Sequence, residues 1–553
     1  MSVALPPPIT PQQASPMELR AAAQAQHEWL FDYGKFRIHV FGFQSVDQDK
    51  MRQIIAATGS LSDAVRAIGY VYYVSGYPAA YLQYAAIGSD IYVRAMPGTI
   101  KEVVGPPSLV AYFSSLKGKT PLTASELEPN RALADGYTER GGESFKPTFK
   151  TLDDGAVELD LGEASPGRQT TDVAGSFSNY GNRYAGPYLA NAGLRQSFSS
   201  GDEITLTGVT STRFLGLGGS HSEPYHEGDA GLSRVTSFGV FSLNGQYADF
   251  QLSSPGETLT GKLESGSASW LYPLYSDLQQ RLNIQGRFIH DHDDIHATEY
   301  VETTSVVGDI GSALNGFLSP LGLQLPLSTI GLANGEAEVS GEVFSEQYNS
   351  LELALSYVAR FQHGDHLSEL QAGLLVRKGA GQNRGVLTTA DLGYLLWQPS
   401  FSARYGFSQH WTALAQGSIQ FSNDTLPLQQ QWVIGGPTSL HAYRSGAGVG
   451  DHGGGALLGM EWKGYLDSWT ERYGIRPRGF VEYGSATLKH ADVISGQPGG
   501  VEAADVGAAV DMRYGSWLSG SLSVAQSIFG KGKEHSPDGL EKNYVFFQLA
   551  AKY

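Results

Sequence analysis

Histidine and carboxylate side chains two residues apart on an extended chain share a face, and such a face can hold a divalent cation. One string in the 553-residue chain has that form: His290-Asp291-His292-Asp293-Asp294-Ile295-His296. His290 and His292 are its metal candidates. Against them stands a plainer account, a solvated strand end that leaves a turn at Tyr272-Pro273 and enters a loop at an extracellular rim. No phosphate loop ending in Lys-Ser/Thr, no Gly-x-Ser-x-Gly elbow and no His-Glu-x-x-His motif accompanies the string. The chain has no cysteine, which excludes thiol catalysis, Cys zinc sites and disulfides and suits an oxidising periplasm. The expectation is a protein that is not an enzyme, with no catalytic residue, no metal and no other cofactor. A net charge of -17 also argues against a nucleic-acid partner, since phosphate binding needs clustered Lys and Arg.

The elements that would position any site come next. Gly is frequent at 69, aromatics make up 11% and charged residues only 17%. No run of about eighteen apolar residues is present, so no helix spans a membrane. A closed barrel remains open, because its strands alternate lipid-facing apolar with lumen-facing polar residues. Beyond Pro166 this alternation recurs in segment after segment. Leu351, Leu353, Leu355 and Tyr357 alternate with Glu352, Ala354 and Ser356, and Trp411, Ala413 and Ala415 with Thr412 and Gln416. The last segment places Val545, Phe547, Leu549, Ala551 and Tyr553 on one face, as a closing strand would. The stretch can supply about 14 to 18 spanning strands, and about 16 is the working number. Residues 298–341 lack clear alternation and read as a long extracellular loop. A soluble β-sandwich or solenoid also alternates, but irregular segment lengths and aromatics near strand ends favour the transmembrane antiparallel barrel.

The N-terminal part has other periods. Residues 1–14 are rich in Pro and Gln, and the Met1–Pro8 stretch lacks the basic and apolar regions of a signal peptide, so a signal is expected to have been removed. Ser15-Pro16-Met17-Glu18 predicts a helix over 16–30. Strand 36–43, helices 46–58 and from Ser60 onward, then strands 81–86 and 90–96 form a small α+β unit. Residues 103–163 repeat the outline. The divisions are 1–33 for the tail and helix, 34–102 and 103–165 for the two units, and 166–553 for the barrel.

Three stretches resemble the outer-membrane transporters of two-partner secretion, the haemolysin secretion and activation (TpsB) type within the Omp85 group. Tyr72-Tyr73-Val74-Ser75-Gly76-Tyr77-Pro78 is similar to the end of the second helix in that family's first POTRA domain. Phe177-Ser178-Asn179-Tyr180-Gly181-Asn182-Arg183-Tyr184-Ala185-Gly186, with Gly201-Asp202 after it, is similar to its first barrel hairpin. Trp432-Val433-Ile434-Gly435-Gly436-Pro437-Thr438-Ser439-Leu440-His441-Ala442-Tyr443, followed by Gly450-Asp451-His452-Gly453, resembles its long inward loop. In that family an Arg-Gly-Tyr tip reaches an acidic residue in a Phe-x-Asp motif. Phe480-Val481-Glu482 matches the motif and puts Glu482 on the acidic position.

The resemblance implies two POTRA domains in the periplasm and an outer-membrane barrel that secretes a partner exoprotein, itself TpsA-like and β-helical, without ATP. It also implies contact with outer-membrane lipids and with the barrel assembly machinery during biogenesis. The tip departs from the pattern, with His441 for the arginine and Ala442 for the glycine, which removes a bidentate guanidinium contact. His441 retains one hydrogen bond to offer, and Arg444 is an alternative partner for Glu482. The helix over 16–30 would either plug the pore, as in the family, or lie beside the first POTRA domain. Only about five residues separate it from the strand at Phe36, a reach of about 17 Å. An Omp85-type assembly factor and a passive porin are the alternative functions.

Overall fold

The computed structural model describes residues 6–553 except 164, 168, 182–185, 213–223, 255–256, 278, 303–335, 365, 385–389, 463–472, 490–499 and 533–544. After β1 (Gln12–Gln13), α1 (Pro16–Gln24) starts where expected and stops well short of Leu30. The reason lies in the next residues. Trp29, Phe31 and Tyr33 recur at every second position as large aromatics that pack into the core while Leu30 and Asp32 between them point out, which favours a strand over a further helical turn. They form β2 (Glu28–Tyr33), folded onto β3 (Phe36–Gly42) around Gly34 at φ 57°. α1 then lies on the sheet through buried Leu19 and Ala23, against Phe41, Ala85 and Tyr92. Of the two placements, the helix occupies the one beside the first unit.

α2 (Gln48–Ala56) is capped by the Asp47 side chain, and α3 (Leu61–Val74) by Ser60 accepting from the Asp63 amide. With β4 (Tyr81–Ile87) and β5 (Asp90–Met96) they complete a sheet of order β1-β4-β5-β3-β2. The second unit contains β6 (Ile100–Val104), α4 (Pro107–Phe113) and α5 (Ala124–Arg140). A short strand pair joins β7 (Glu143–Ser144) to β10 (Ser165–Pro166), and between them β8 (Thr148–Thr151) and β9 (Val157–Asp160) complete a sheet of order β6-β9-β8. α4 was not anticipated from the sequence. The units share a core: Ala79 and Tyr81 of the first pack with Leu127 and Val157 of the second, and the Tyr81 hydroxyl donates to the Gly155 carbonyl at 2.9 Å.

Sixteen antiparallel strands close the barrel. They begin with β11 (Thr171–Ser178), β12 (Leu189–Ser197), β13 (Asp202–Ser211), β14 (Tyr225–Thr236) and β15 (Gly239–Ser254). Then follow β16 (Glu257–Ser276), β17 (Gln280–Glu302), β18 (Glu336–His363), β19 (His366–Arg384), β20 (Leu395–Gly406) and β21 (Trp411–Ser422). A small hairpin of β22 (Trp432–Ile434) and β23 (Gly448–Gly450) stands apart from the wall. The wall resumes with β24 (His452–Trp462), β25 (Tyr473–Thr487), β26 (Val501–Tyr514), β27 (Leu518–Gly532) and β28 (Val545–Lys552).

The period of two places side chains as alternation predicts. Leu351 and Leu353 are 66% and 50% exposed on the outer face, whereas Glu352 between them is 6% exposed and pairs with Arg377 inside. Two expectations are corrected here. The turn expected at Tyr272-Pro273 is not there: β16 runs through both residues to Ser276, with Leu274 bulged between Pro273 and Tyr275. The stretch 298–341 is not all loop, because its ends extend β17 to Glu302 and β18 back to Glu336 as one paired ladder. The part of that insert between them lies outside the described residues.

Candidate functional site

Between β21 and β24 the chain turns into the barrel. Gly435 and Gly436 adopt φ of 94° and 93°, which only glycine takes without strain, and they reverse the chain after β22. The hairpin lies close against the wall because the wall is bare there. The Trp432 ring covers Gly453, where a Cβ would collide with it. Ile434, Leu440, Ala442 and Tyr443 bury with Leu457, Phe480 and Ala503 of β24, β25 and β26.

The polar contacts converge on two carboxylates. Glu482 is 1% exposed and sits directly across from Asp505, which is fully buried, in the β25–β26 ladder. Like charges at facing positions repel unless donors converge on them. Here the loop supplies the donors. The His441 amide donates to Glu482 Oε2 at 2.9 Å, and the His441 ring, with its proton on Nδ1, reaches the same oxygen at 2.8 Å. The Ala442 amide donates to Asp505 Oδ2 at 2.7 Å. The ring of His441 packs on Phe480 with centroids 4.6 Å apart, and the Tyr443 hydroxyl donates to the Phe529 carbonyl at 3.0 Å. Arg444 is exposed, and its place at Glu482 is taken by His441.

Two further anchors hold the loop. Asp451, fully buried, accepts from the amides of Leu426 and Lys489 at 2.7 and 2.8 Å and so ties the two limbs of the loop to the far side of β25. Gln429 donates to Asp293, and Gln430 binds Tyr348 and Arg377 on β18 and β19. The loop is thereby held across the lumen between two stretches of wall.

The remaining sequence candidates fall elsewhere. Asn179 closes the seam between first and last strands: its Nδ2 donates to the Val545 carbonyl at 2.8 Å and its Oδ1 accepts from the Phe547 amide at 2.7 Å. Tyr180 bonds Ser521 at 3.0 Å, and its carbonyl accepts from Ser445 of the loop at 3.1 Å. The Gly181 amide donates to the Pro187 carbonyl at 3.3 Å, whereas 182–185 of the same motif lie outside the described residues. Phe547 packs against Phe177, and the Tyr553 amide donates to the Val173 carbonyl at 2.7 Å. His290 and His292 stand within β17, paired on both sides, and not at a strand end. His290 bonds Asn349 at 2.8 Å and His292 pairs with Asp294 at 3.0 Å.

At the opposite end of the wall, α5 meets the barrel turns. Arg140 donates to the carbonyls of Gly201 and Ser233, both at 2.9 Å, and the Tyr112 hydroxyl donates to the Val235 carbonyl at 3.1 Å. Sequence reasoning missed Arg140 and Asp505, and placed Asp451 in the loop stretch without giving it a role.

Solved structures share this fold. CdiB from Escherichia coli superposes with a TM-score of 0.64 over 97% of this chain and 96% of that one, at 14% identity. Its fold is shared. CdiB from Acinetobacter baumannii gives 0.59 at 12% identity, covering 97% of both chains. BamA from Haemophilus ducreyi lacking POTRA domains 1–3 gives 0.50 at 15% identity, over 95% of this chain and all of that one. No protein-family model matches the sequence, and no curated protein matches it. The CdiB-like fold is thus carried by a sequence only 14% and 12% identical to those two chains.

Proposed function

We propose that the chain is an outer-membrane transporter of the two-partner type. Its two N-terminal units act as POTRA domains in the periplasm and take hold of an extended exoprotein by strand addition at a sheet edge. The barrel then passes the polypeptide outward, and folding at the cell surface gives direction without nucleotide hydrolysis. The observation that carries this reading is the inward hairpin seated on Glu482 and Asp505 inside a wall whose opposite end holds the second unit through Arg140. A passive pore would need neither contact.

The test is to ask whether a neighbouring gene encodes a large repetitive exoprotein and whether this chain exports it. Cells with the intact chain should release it to the medium, and deletion of residues 438–447, which spares the wall strand β24, should stop release while the barrel still reaches the outer membrane. Equal release by cells with and without the chain would refute the reading. The likeness to BamA supports a second function, insertion of other barrels into the membrane. In that case loss of the chain would lower the amounts of unrelated outer-membrane proteins and leave the exoprotein unaffected.

A further inference from the structure

A strand at the edge of a sheet offers a row of unpaired amides and carbonyls to any extended chain that reaches it. In the first unit β4 pairs with β5 along Tyr81–Ile87, and its other side would be such an edge. The chain's own N-terminal segment sits there. Gln12 and Gln13 face Gln83 and Tyr84 in parallel register, and the Ala14 amide donates to the Tyr84 carbonyl at 3.0 Å. The Gln12 side chain crosses to Thr151 on β8, the edge strand of the second unit. Ile9 packs against the second unit's core and Ala14 against the α1 cluster.

Three features suit this segment to occupy the edge and later leave it. Pro8 and Pro11 preset an extended backbone, so ordering costs little entropy. Only two residues pair in register, against the seven that β4 offers. A tethered segment competes at an effective concentration of about 1 mM, enough to mask the edge but weak against a longer strand.

We propose that the β4 edge, together with Thr151, is a binding site for an extended polypeptide running parallel to β4, and that residues 9–14 occupy it as an internal competitor. This rests on the transport reading, in which the displacing polypeptide is the exoprotein. A parallel strand that covers all of β4 adds backbone bonds the resident segment does not make, so the longer strand wins the edge.

The test uses three full-length forms in detergent and a fluorescein-labelled peptide copying residues 6–15, titrated to about 1 mM, the scale of a short tether. Ala14→Pro removes the donor to Tyr84 and opens the edge. The pair Gln13→Cys/Tyr84→Cys, placed in a chain with no other cysteine, locks the segment down when oxidised. Ala14→Pro should bind the peptide at least about tenfold more tightly than the parent, because the tethered competitor is weakened. The oxidised pair should bind none, and reduction should restore the parent's behaviour. Amide exchange should place the peptide's protection at Gln83–Ala85. Equal binding by all three forms, or binding by none, overturns the proposal. Such a failure alongside exoprotein export removes the strand site and leaves transport standing; peptide binding as expected in a chain that exports nothing does the reverse.

Discussion

The inward hairpin and the second N-terminal unit both dock on the barrel, and they do so with opposite chemistry. At the hairpin tip the docking element contributes main-chain amides, those of His441 and Ala442, and the wall contributes the side chains of Glu482 and Asp505. At the other end the docking element contributes side chains, Arg140 and Tyr112, and the wall contributes chiefly main-chain carbonyls, at Gly201, Ser233 and Val235, with the Ser233 hydroxyl and Glu203 beside Arg140. A contact is sensitive to sequence on the side that supplies side chains. Positions 441 and 442 of the tip can therefore change residue type more readily than the wall acids, and most turn residues more readily than Arg140; Gly201, at φ 78° and close against Tyr137, is the exception. This explains how a His-Ala pair stands where an Arg-Gly pair was expected.

The sharpest way to break the comparison is to remove the wall acids. Glu482→Ala with Asp505→Ala strands two buried amides, each costing about 1–3 kcal/mol when unsatisfied. The hairpin should leave its seat, export should stop, and single-channel conductance should rise with the lumen cleared. Unchanged conductance would mean that Trp432, Leu440 and Tyr443 hold the hairpin without the polar contacts.

Arg140→Ala tests the other end. It removes a guanidinium that donates to two carbonyls and to the Ser233 hydroxyl at 2.8 Å, hydrogen bonds worth about 1.5–3 kcal/mol when charged. Amide exchange in α5 should rise strongly, and Arg140→Lys should rescue only part of it, since an ammonium lacks the fork. Ala substitutions at the turn residues Ser199 and Ser200, by contrast, should leave exchange unchanged.

What was legible in the sequence divides along the same line. The barrel was legible because burial inside and out follows a period of two, as Leu351 and Glu352 show. The hairpin was legible through the resemblance of the whole Trp432–Tyr443 stretch to a known inward loop, since Gly435 and Gly436 alone would mark only a turn; the structure shows both at positive φ. The end of α1 was misjudged because alanines favour helix locally, whereas Trp29, Phe31 and Tyr33 find partners on β3 only in the folded sheet. Asp505 lies in phase with Val501, Ala503 and Ala509 on the inner face of β26 and escaped notice because one acid on an alternating strand reads as an ordinary lumen-facing residue, and nothing in the sequence pairs it with Glu482 of the preceding strand. Arg140 looked like an ordinary basic residue in the last turn of a helix, and its partners are carbonyls that no sequence pattern marks.

Acidity should separate the two contacts further. On α5, burial pushes the Glu128 carboxyl up from 4.5 to about 7, with nearby Asp135 adding to the rise and Arg131 opposing it. Burial also raises Asp135, from 3.8 to about 6. The docked state holds these protons more tightly than the undocked one, so their contribution to docking is largest below the ordinary carboxylate range. It falls as pH rises through about 4.5 to 7. Protection of the α5 amides, with the intrinsic pH dependence of exchange divided out, should therefore rise on going from pH 7.5 to 5.5. Glu128→Gln should flatten that dependence and strengthen docking at pH 7.5 by roughly 1–2 kcal/mol.

The smallest effect is expected at His441, and it decides whether the contrast is correct. His441→Ala deletes the ring contact to Glu482 and the packing on Phe480, yet leaves both amides in place to meet Glu482 and Asp505. The loss should be about 1 kcal/mol, with export reduced and not abolished. Export should fall less than with Glu482→Ala alone, which leaves the His441 amide without an acceptor. If His441→Ala instead matched the double acid variant in conductance and export, the ring would be the true ligand of the wall. The tip would then belong with Arg140, as a contact carried by the side chain of the docking element.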